Sequence, residues 1–165
     1  MISRGLSFTK EQHEELDTIL SGLHWETEAE SILLADVTGQ MISVVGDADI
    51  NTAAISAVAA GSLAATKEMA RLVGEPARFK LVLQEGDTRS VYLSDVGEEL
   101  VLITIFGKNT PIGLVRLSTQ KAVEKFVAVV DQAQLNPQDQ GLYPEESVSL
   151  SDQLNNSFDD FFNAE

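Results

Sequence analysis

The sequence contains no cysteine, few basic residues and no long apolar run, and each shortage narrows the possible functions. Without cysteine the chain forms no disulfide, holds no thiolate zinc site and has no thiol nucleophile, a composition that fits a reducing cytoplasm. The longest apolar run, residues 100–106, has the length of a β-strand rather than of a membrane span, and no signal peptide is predicted. We therefore expect a cytoplasmic protein without membrane insertion.

Basic residues are outnumbered by acids, with 11 Lys and Arg against 26 Asp and Glu and a formal net charge of -15 at pH 7. Phosphate backbones are bound by basic surfaces, so this balance excludes a general nucleic-acid binder and favours basic partners. No Lys or Arg follows Lys125, whereas eight acids do: Asp131, Asp139, Glu145, Glu146, Asp152, Asp159, Asp160 and Glu165. We expect residues 137–165 to form an acidic tail.

The end of this tail combines its acids with apolar residues at helical spacing. Leu154, Phe158, Phe161 and Phe162 would line one side of a short amphipathic helix. A helix this short is marginal in water without packing. Two interpretations stay open: a tethered peptide that becomes ordered on a partner protein, and a segment that docks on its own domain or stays disordered.

Residues 1–136 are long enough for one domain with a hydrophobic core. Hydrophobic periodicity and turn residues predict helices at 9–27, 51–73 and 111–136, and strands at 31–36, 40–46, 78–84, 88–94 and 100–106. An extended start of the last helix, over residues 112–117, stays an alternative. Because all strand links but one have hairpin length, the predicted fold is an α+β domain with a mainly antiparallel sheet.

The central helix, residues 51–73, is predicted to carry two different faces at 3.6 residues per turn. One face suits packing on the sheet and carries Ile55, Val58, Ser62, Met69 and Val73. The opposite face, here the small-residue face, carries Ala57, Ala60, Gly61, Ala64, Lys67, Glu68 and Arg71. Alanine alone could reflect helix propensity, but Gly61 costs about 1 kcal/mol relative to alanine in a helix interior. We therefore predict that the small-residue face contacts another protein.

No catalytic site, metal site or cofactor is predicted. His13 and His24 lie three turns apart on the first helix, without metal-ligand spacing. Residues 47–58 begin like a calcium loop but have Thr52 and Val58 where glycine and glutamate are needed. Residues 107–109 resemble the end of a phosphate loop but lack the hydroxyl residue that follows its lysine. With no nucleophile and base assembled, intrinsic hydrolysis is not expected.

Four segments in this order resemble the Roadblock/dynein light-chain family, in particular its bacterial MglB-type members. They are SILLADVTGQMISVVG at residues 31–46, AATKEMARLVGE at 64–75, VYLSDVGEE at 91–99 and LVLITIFGKNTPIGLVRL at 100–117. The resemblance covers roughly residues 32–130. The closing SFDDFFNAE is also similar to the short acidic and aromatic end of such proteins.

The resemblance implies an α-β-β-α-β-β-β-α fold whose five-stranded sheet has the central helix on one face and the terminal helices on the other. It implies a homodimer in which two edge strands form one continuous sheet, here through Phe79, Lys80, Leu81, Val82 and Leu83. Such pairing would explain two features of the sequence. One is an edge strand with few residues that prevent edge-to-edge association, and the other is a helix whose outer face carries mostly small side chains.

The resemblance also implies a function, which is to activate a small Ras-like GTPase of the MglA type that binds across the two central helices. Activators of this type rearrange catalytic groups of the GTPase, although Arg71 lies near enough to the contact face for an arginine-finger role to be conceivable. A role in bacterial cell polarity or motility follows only from the resemblance. The alternative is a scaffold that recruits a GTPase or motor complex without accelerating hydrolysis. A small-molecule sensor is disfavoured, because the core positions are aliphatic.

Overall fold

A computed structural model describes residues 6–47 and 49–135 of the chain. It contains three helices, α1 (Lys10–Thr27), α2 (Thr52–Leu72) and α3 (Ile112–Leu135). The five strands are β1 (Ser31–Asp36), β2 (Met41–Gly46), β3 (Leu81–Glu85), β4 (Arg89–Val96) and β5 (Leu100–Gly107). The predicted order of helices and strands is confirmed.

The five strands form one sheet in the order β2-β1-β5-β4-β3, and every neighbouring pair is antiparallel. β1 and β5 lie in the middle of the sheet, where Leu33 of β1 stands opposite Ile103 of β5 on one side and Val44 of β2 on the other. Both central strands are buried along most of their length, as their continuous apolar sequences predict. β2 and β3 are left as the two edges.

Alternate side chains of the central strands enter two separate hydrophobic layers. Ile32 and Leu34 of β1 point to one face and pack with α1 and α3, whose buried residues include Leu16, Leu20 and Phe126. Leu33 and Ala35 point to the other face and pack under α2. The helices therefore lie on both faces of the sheet, as predicted.

Local sequence signals set the helix ends. The Thr9 hydroxyl accepts from the Gln12 backbone N–H at 3.2 Å, and the Gln12 side chain accepts from the Thr9 N–H at 2.9 Å. This capping box begins α1 where the sequence predicts it. α3 is helical from Ile112 onward, which excludes the extended alternative for residues 112–117.

Two strands differ from their predicted bounds by two residues or more, and β2 and β5 differ by one residue at one end. β3 begins at Leu81 rather than at residue 78, and β4 continues to Val96 rather than to residue 94. Arg78 lies before the strand, and its side chain binds Asp95 and Glu98. The boundary predicted between residues 136 and 137 stays a prediction, because the tail lies outside the described residues. No helix in the described part of the chain is long and apolar enough to cross a membrane.

Replacement of Phe126 by alanine tests the layer beneath α3. Phe126 is fully buried, so Phe126→Ala should lower the free energy of unfolding by about 3–5 kcal/mol through lost burial and a residual cavity. Leu117→Ala on the same helix is the control, because Leu117 is 53% exposed and should change stability by no more than about 0.5 kcal/mol. Chemical denaturation measures both, and equal losses for the two variants would contradict this packing.

Candidate functional site

α2 is a well-terminated helix that spans one face of the sheet. The Asn51 side chain caps its start by accepting from the Ala54 N–H at 3.1 Å. At the other end Gly74 has a φ of 76°, and the Glu75 N–H donates to the Ala70 carbonyl at 2.9 Å. Glycine accepts this left-handed conformation without strain, so the helix stops where the sequence predicts it.

The buried face of α2 differs from the predicted one. Its buried residues are Ser56, Ala59, Ala60, Leu63 and Ala70. The prediction that Val58, Met69 and Val73 pack on the sheet is wrong, because they are 72%, 56% and 66% exposed. Ala60, predicted on the small-residue face, is 6% exposed and packs within the protomer.

Volume complementarity explains this rotation of the helix. The sheet beneath α2 presents large aliphatic side chains, including Leu33, Leu93 and Ile103. Small residues on the helix let its backbone approach such a surface closely, whereas a second row of large residues would hold the layers apart. Most of α2 is apolar or small, so hydrophobic periodicity gives little indication of which side is buried.

The exposed side of α2, here the outer face, therefore carries both small and large apolar residues. Ala57, Gly61 and Ala64 are exposed, and the larger side chains of Val58, Met69 and Leu72 lie on the same solvent-facing half of the helix. A Cβ added to Gly61 would meet nothing within 4 Å. The glycine is therefore not required by any contact among the described residues, which supports a contact surface at this position.

Ala57 has a role inside the protomer as well. Gly39, in the turn between β1 and β2, has a φ of 92°, and a Cβ added there would lie 2.7 Å from the Ala57 Cα. The turn thus packs directly on the backbone of α2. This close approach explains why the side chain at Ala57 is small. It does not explain the absence of a side chain at Gly61.

The C-terminal half of α2 is tied to the sheet by a buried carboxylate. Asp95 of β4 has a side chain only 3% exposed, and its Oδ1 atom lies 3.8 Å from the Lys67 Nζ atom. Its other oxygen accepts a hydrogen bond from Arg78, which also binds Glu98. Asp95 thereby links Lys67, which belongs to the predicted contact surface, to the segment that precedes the edge strand β3. A charged residue within the buried end of β4 is the signal that could have revealed this link.

Ion pairing also occupies the arginines near the outer face. Arg71 binds the Glu68 carboxylate on its own helix, with Nε to both oxygens at 3.0 Å. This hydrogen bond lowers the pKa of Glu68 and raises the pKa of Arg71. Burial by itself lowers the pKa of Arg78, but its hydrogen bonds to Glu98 and Asp95 prevail and the pKa is raised. Both arginines stay charged and are held by carboxylates of the same chain.

The edge strand β3 exposes both side chains and backbone groups. The Asp95 N–H donates to the Lys80 carbonyl at 2.8 Å, so these two residues form a hydrogen-bonded pair. Hydrogen-bonded and non-hydrogen-bonded pairs alternate along antiparallel strands, so the next hydrogen-bonded pair joins Val82 to β4. The N–H groups of Leu81 and Leu83 then point away from the sheet. The side chains of Leu81 and Leu83 are 38% and 37% exposed, whereas Val82 packs against the α2 layer. Phe79 and Lys80, predicted within the strand, precede it.

An apolar groove of about 300 Å³ separates α2 from this side of the sheet. Its lining residues come from α2 and from β3, β4 and β5: Ala54, Ile55, Val58, Ala59, Ser62, Gln84, Val91, Leu93 and Ile103. The groove connects the exposed half of α2 to the edge strand. Sequence reasoning missed it, because it predicts the rotation of α2 incorrectly.

Other predictions concern residues or sites away from this face. Leu154, Phe158, Phe161 and Phe162 lie outside the described residues. Among residues 6–47 and 49–135, no group of three or more His, Asp or Glu side chains is arranged to hold a metal ion.

The sequence model of the Roadblock/LC7 domain matches residues 15–106. No curated protein sequence matches the chain.

Three solved structures are similar over most of the chain. Myxococcus xanthus MglB is 31% identical, with 78% of this chain and 96% of that chain covered and a TM-score of 0.72. The gliding protein MglB from Thermus thermophilus is 25% identical, with 79% and 99% covered and a TM-score of 0.72. An MglB with a tetrameric arrangement is also 25% identical, with 80% and 99% covered and a TM-score of 0.74.

Replacement of Gly61 by alanine separates stability from contact. Gly61→Ala should raise the free energy of unfolding by up to about 1 kcal/mol, because the site has room and alanine is the better helix former. Gly39→Ala is the control and should destabilise, since its Cβ would meet Ala57 and its φ is positive. Thermal unfolding compares the two, and destabilisation by Gly61→Ala would mean that the space around Gly61 is already filled.

Proposed function

Because the chain belongs to the Roadblock/LC7 family, we propose that it is a homodimeric regulator that accelerates GTP hydrolysis by a small Ras-like GTPase of the MglA type. The observation that carries the proposal is the outer face of α2, which exposes apolar side chains around an unneeded glycine. Isolated apolar residues are ordinary on a surface, but a contiguous set on one helix is typical of a protein contact. Likeness to MglB over nearly the whole of its length supports a GTPase of this type as the partner.

The homodimer forms, in this proposal, through the edge strand β3. Leu81 and Leu83 offer outward backbone groups together with half-exposed aliphatic side chains. A second copy of β3 would satisfy those groups and continue the sheet, as edge strands generally require. The same pairing would bring two copies of α2 beside each other and cover the apolar groove next to β3.

The GTPase binds across the two α2 helices, through Ala57, Gly61, Ala64, Lys67, Glu68 and Arg71. Catalytic groups come from the GTPase itself, because Arg71 and Arg78 are both held by carboxylates of this chain. Stabilising the catalytic arrangement of the partner then requires positioning by contact rather than insertion of an arginine. We include in the proposal that the tail residues Leu154, Phe158, Phe161 and Phe162 make a second contact with the GTPase.

The same proposal includes action in the cytoplasm. It also includes action at a cell pole, in cell polarity or motility. Its support is the description of the Thermus thermophilus relative as a gliding protein. A scaffold that binds the GTPase without accelerating hydrolysis is the second candidate. The pairing of Arg71 with Glu68 is compatible with both candidates, because neither requires an inserted arginine.

GTP hydrolysis by an MglA-type GTPase, measured with and without the full chain, distinguishes the two candidates. Acceleration supports the activator, and binding without acceleration supports the scaffold. Absence of binding in both nucleotide states overturns both.

Two proline substitutions test the dimer. Leu83→Pro should remove an outward N–H and favour the monomer, while the hydrogen bonds between β3 and β4 remain. Val82→Pro is the contrasting variant, because its N–H faces β4 and its loss should lower the stability of the protomer itself by about 1–3 kcal/mol. Sedimentation measures the oligomeric state and thermal unfolding measures stability. A strictly monomeric wild-type protein at micromolar concentration would overturn this dimer.

Substitution of Ala64 tests the contact with the GTPase. Ala64→Arg places a long charged side chain on the exposed half of α2, so a loss of about 3 kcal/mol would weaken GTPase affinity more than a hundredfold. Stability should change by no more than about 0.5 kcal/mol, because arginine is a good helix former. Ala128→Arg, at an exposed position on α3, should leave binding and activation unchanged.

The oligomeric state of the Ala64→Arg variant must be measured in parallel. Loss of the dimer would assign Ala64 to the contact between protomers. Normal activation by a folded, dimeric variant would contradict a GTPase contact at this residue.

A further inference from the structure

The sheet has a second open edge, formed by β2, on the side opposite β3. β2 contains neither proline nor a charged residue, although both are common safeguards of edge strands. Val44 is 40% exposed and Met41 is 37% exposed. This edge has no role in the proposed dimer or in the proposed GTPase contact, and its exposure does not depend on either.

The register of β2 fixes which backbone groups face outward. The Asp47 N–H donates to the Glu30 carbonyl at 2.9 Å, so hydrogen-bonded pairs with β1 recur at Val45 and Ser43. The N–H and C=O groups of Val44 and Gly46 therefore point away from the sheet. The register shifts between Leu34 and Ala35, so the regular part of the edge begins at Ser43. An incoming strand would pair with this regular part.

A groove of about 470 Å³ lies beside this edge, between α1 and β2. Leu20, Ile42 and Val45 supply apolar lining, and Asp17 lies among them with its carboxylate accepting from the Ser43 hydroxyl. Asp47 and Asp49 follow the strand directly and are exposed. No basic side chain lines the groove within the described residues. The surroundings of the open edge are thus apolar with a negative charge at one side.

We propose that β2 binds an extended peptide segment of another protein as a sixth strand, and that this segment alternates apolar and basic residues. Backbone pairing at Val44 and Gly46 supplies the attachment, and alternate side chains meet the apolar surface of β2. Basic side chains of the segment meet Asp17 and Asp47. A second copy of β2 does not fit this edge. Pairing of two β2 strands would bring the acidic side chains of both copies close together, and each chain has a formal charge of -15.

The test uses a capped peptide of three Lys-Val repeats and a matched peptide of three Glu-Val repeats, each titrated into the full chain. Both have the same alternation, so charge is the only difference. Amide resonances then locate the contact. Binding of the Lys-Val peptide should slow amide exchange at Val44 and Gly46 at least about tenfold, and the Glu-Val peptide should bind at least about tenfold more weakly.

Val44→Pro removes an outward N–H without taking a hydrogen bond from β1. It should weaken the Lys-Val peptide at least about tenfold, whereas Leu83→Pro at the other edge should leave that affinity unchanged. If Val44→Pro fails to fold, amide mapping on the wild-type chain decides alone.

Four results would overturn the proposal: no binding at about 1 mM peptide, equal binding of both peptides, protection at β3 instead of β2, or full affinity in folded Val44→Pro. Protection of Val44 that grows with protein concentration, without peptide, would also overturn it, since it would identify a second copy as the occupant.

Discussion

The pairing of β1 with β5 at the centre of the sheet is the interaction on which the other elements depend. Both strands are buried on both faces, so neither can be stable without a layer of helices above and below. Their alternate side chains supply one core beneath α1 and α3 and another beneath α2. The sheet is open rather than closed into a barrel, so this arrangement leaves an edge strand on each side, β2 and β3.

The second core determines which surface α2 offers to other molecules. Large aliphatic residues lie on the strands and small ones on the helix, so the two layers approach closely. Three of the larger side chains of α2, Val58, Met69 and Leu72, are then directed outward, whereas Leu63 is buried. An exposed apolar surface is in this way a direct result of how the interior is packed.

Sequence reasoning predicts the architecture well because the strands and turns carry strong local signals. The bounds of β1 are predicted at both ends, and the Thr9 capping box and Gly74 mark helix ends correctly. The orientation of α2 is predicted incorrectly, because almost every side of that helix is apolar or small. The start of β3 also differs, and Arg78 just before it pairs with an acid on another strand, a long-range contact that local patterns cannot reveal.

The buried carboxylate of Asp95 has a thermodynamic consequence. Its two cations come from different elements, Lys67 from α2 and Arg78 from the approach to β3, and its own N–H holds the Lys80 carbonyl. A ligand that draws Lys67 away leaves Arg78 as the remaining cation beside the buried Asp95 carboxylate, so a change on the helix affects the charge balance next to the strand. If occupancy of one surface changes affinity at the other through Asp95, linkage requires the reverse effect to have the same factor.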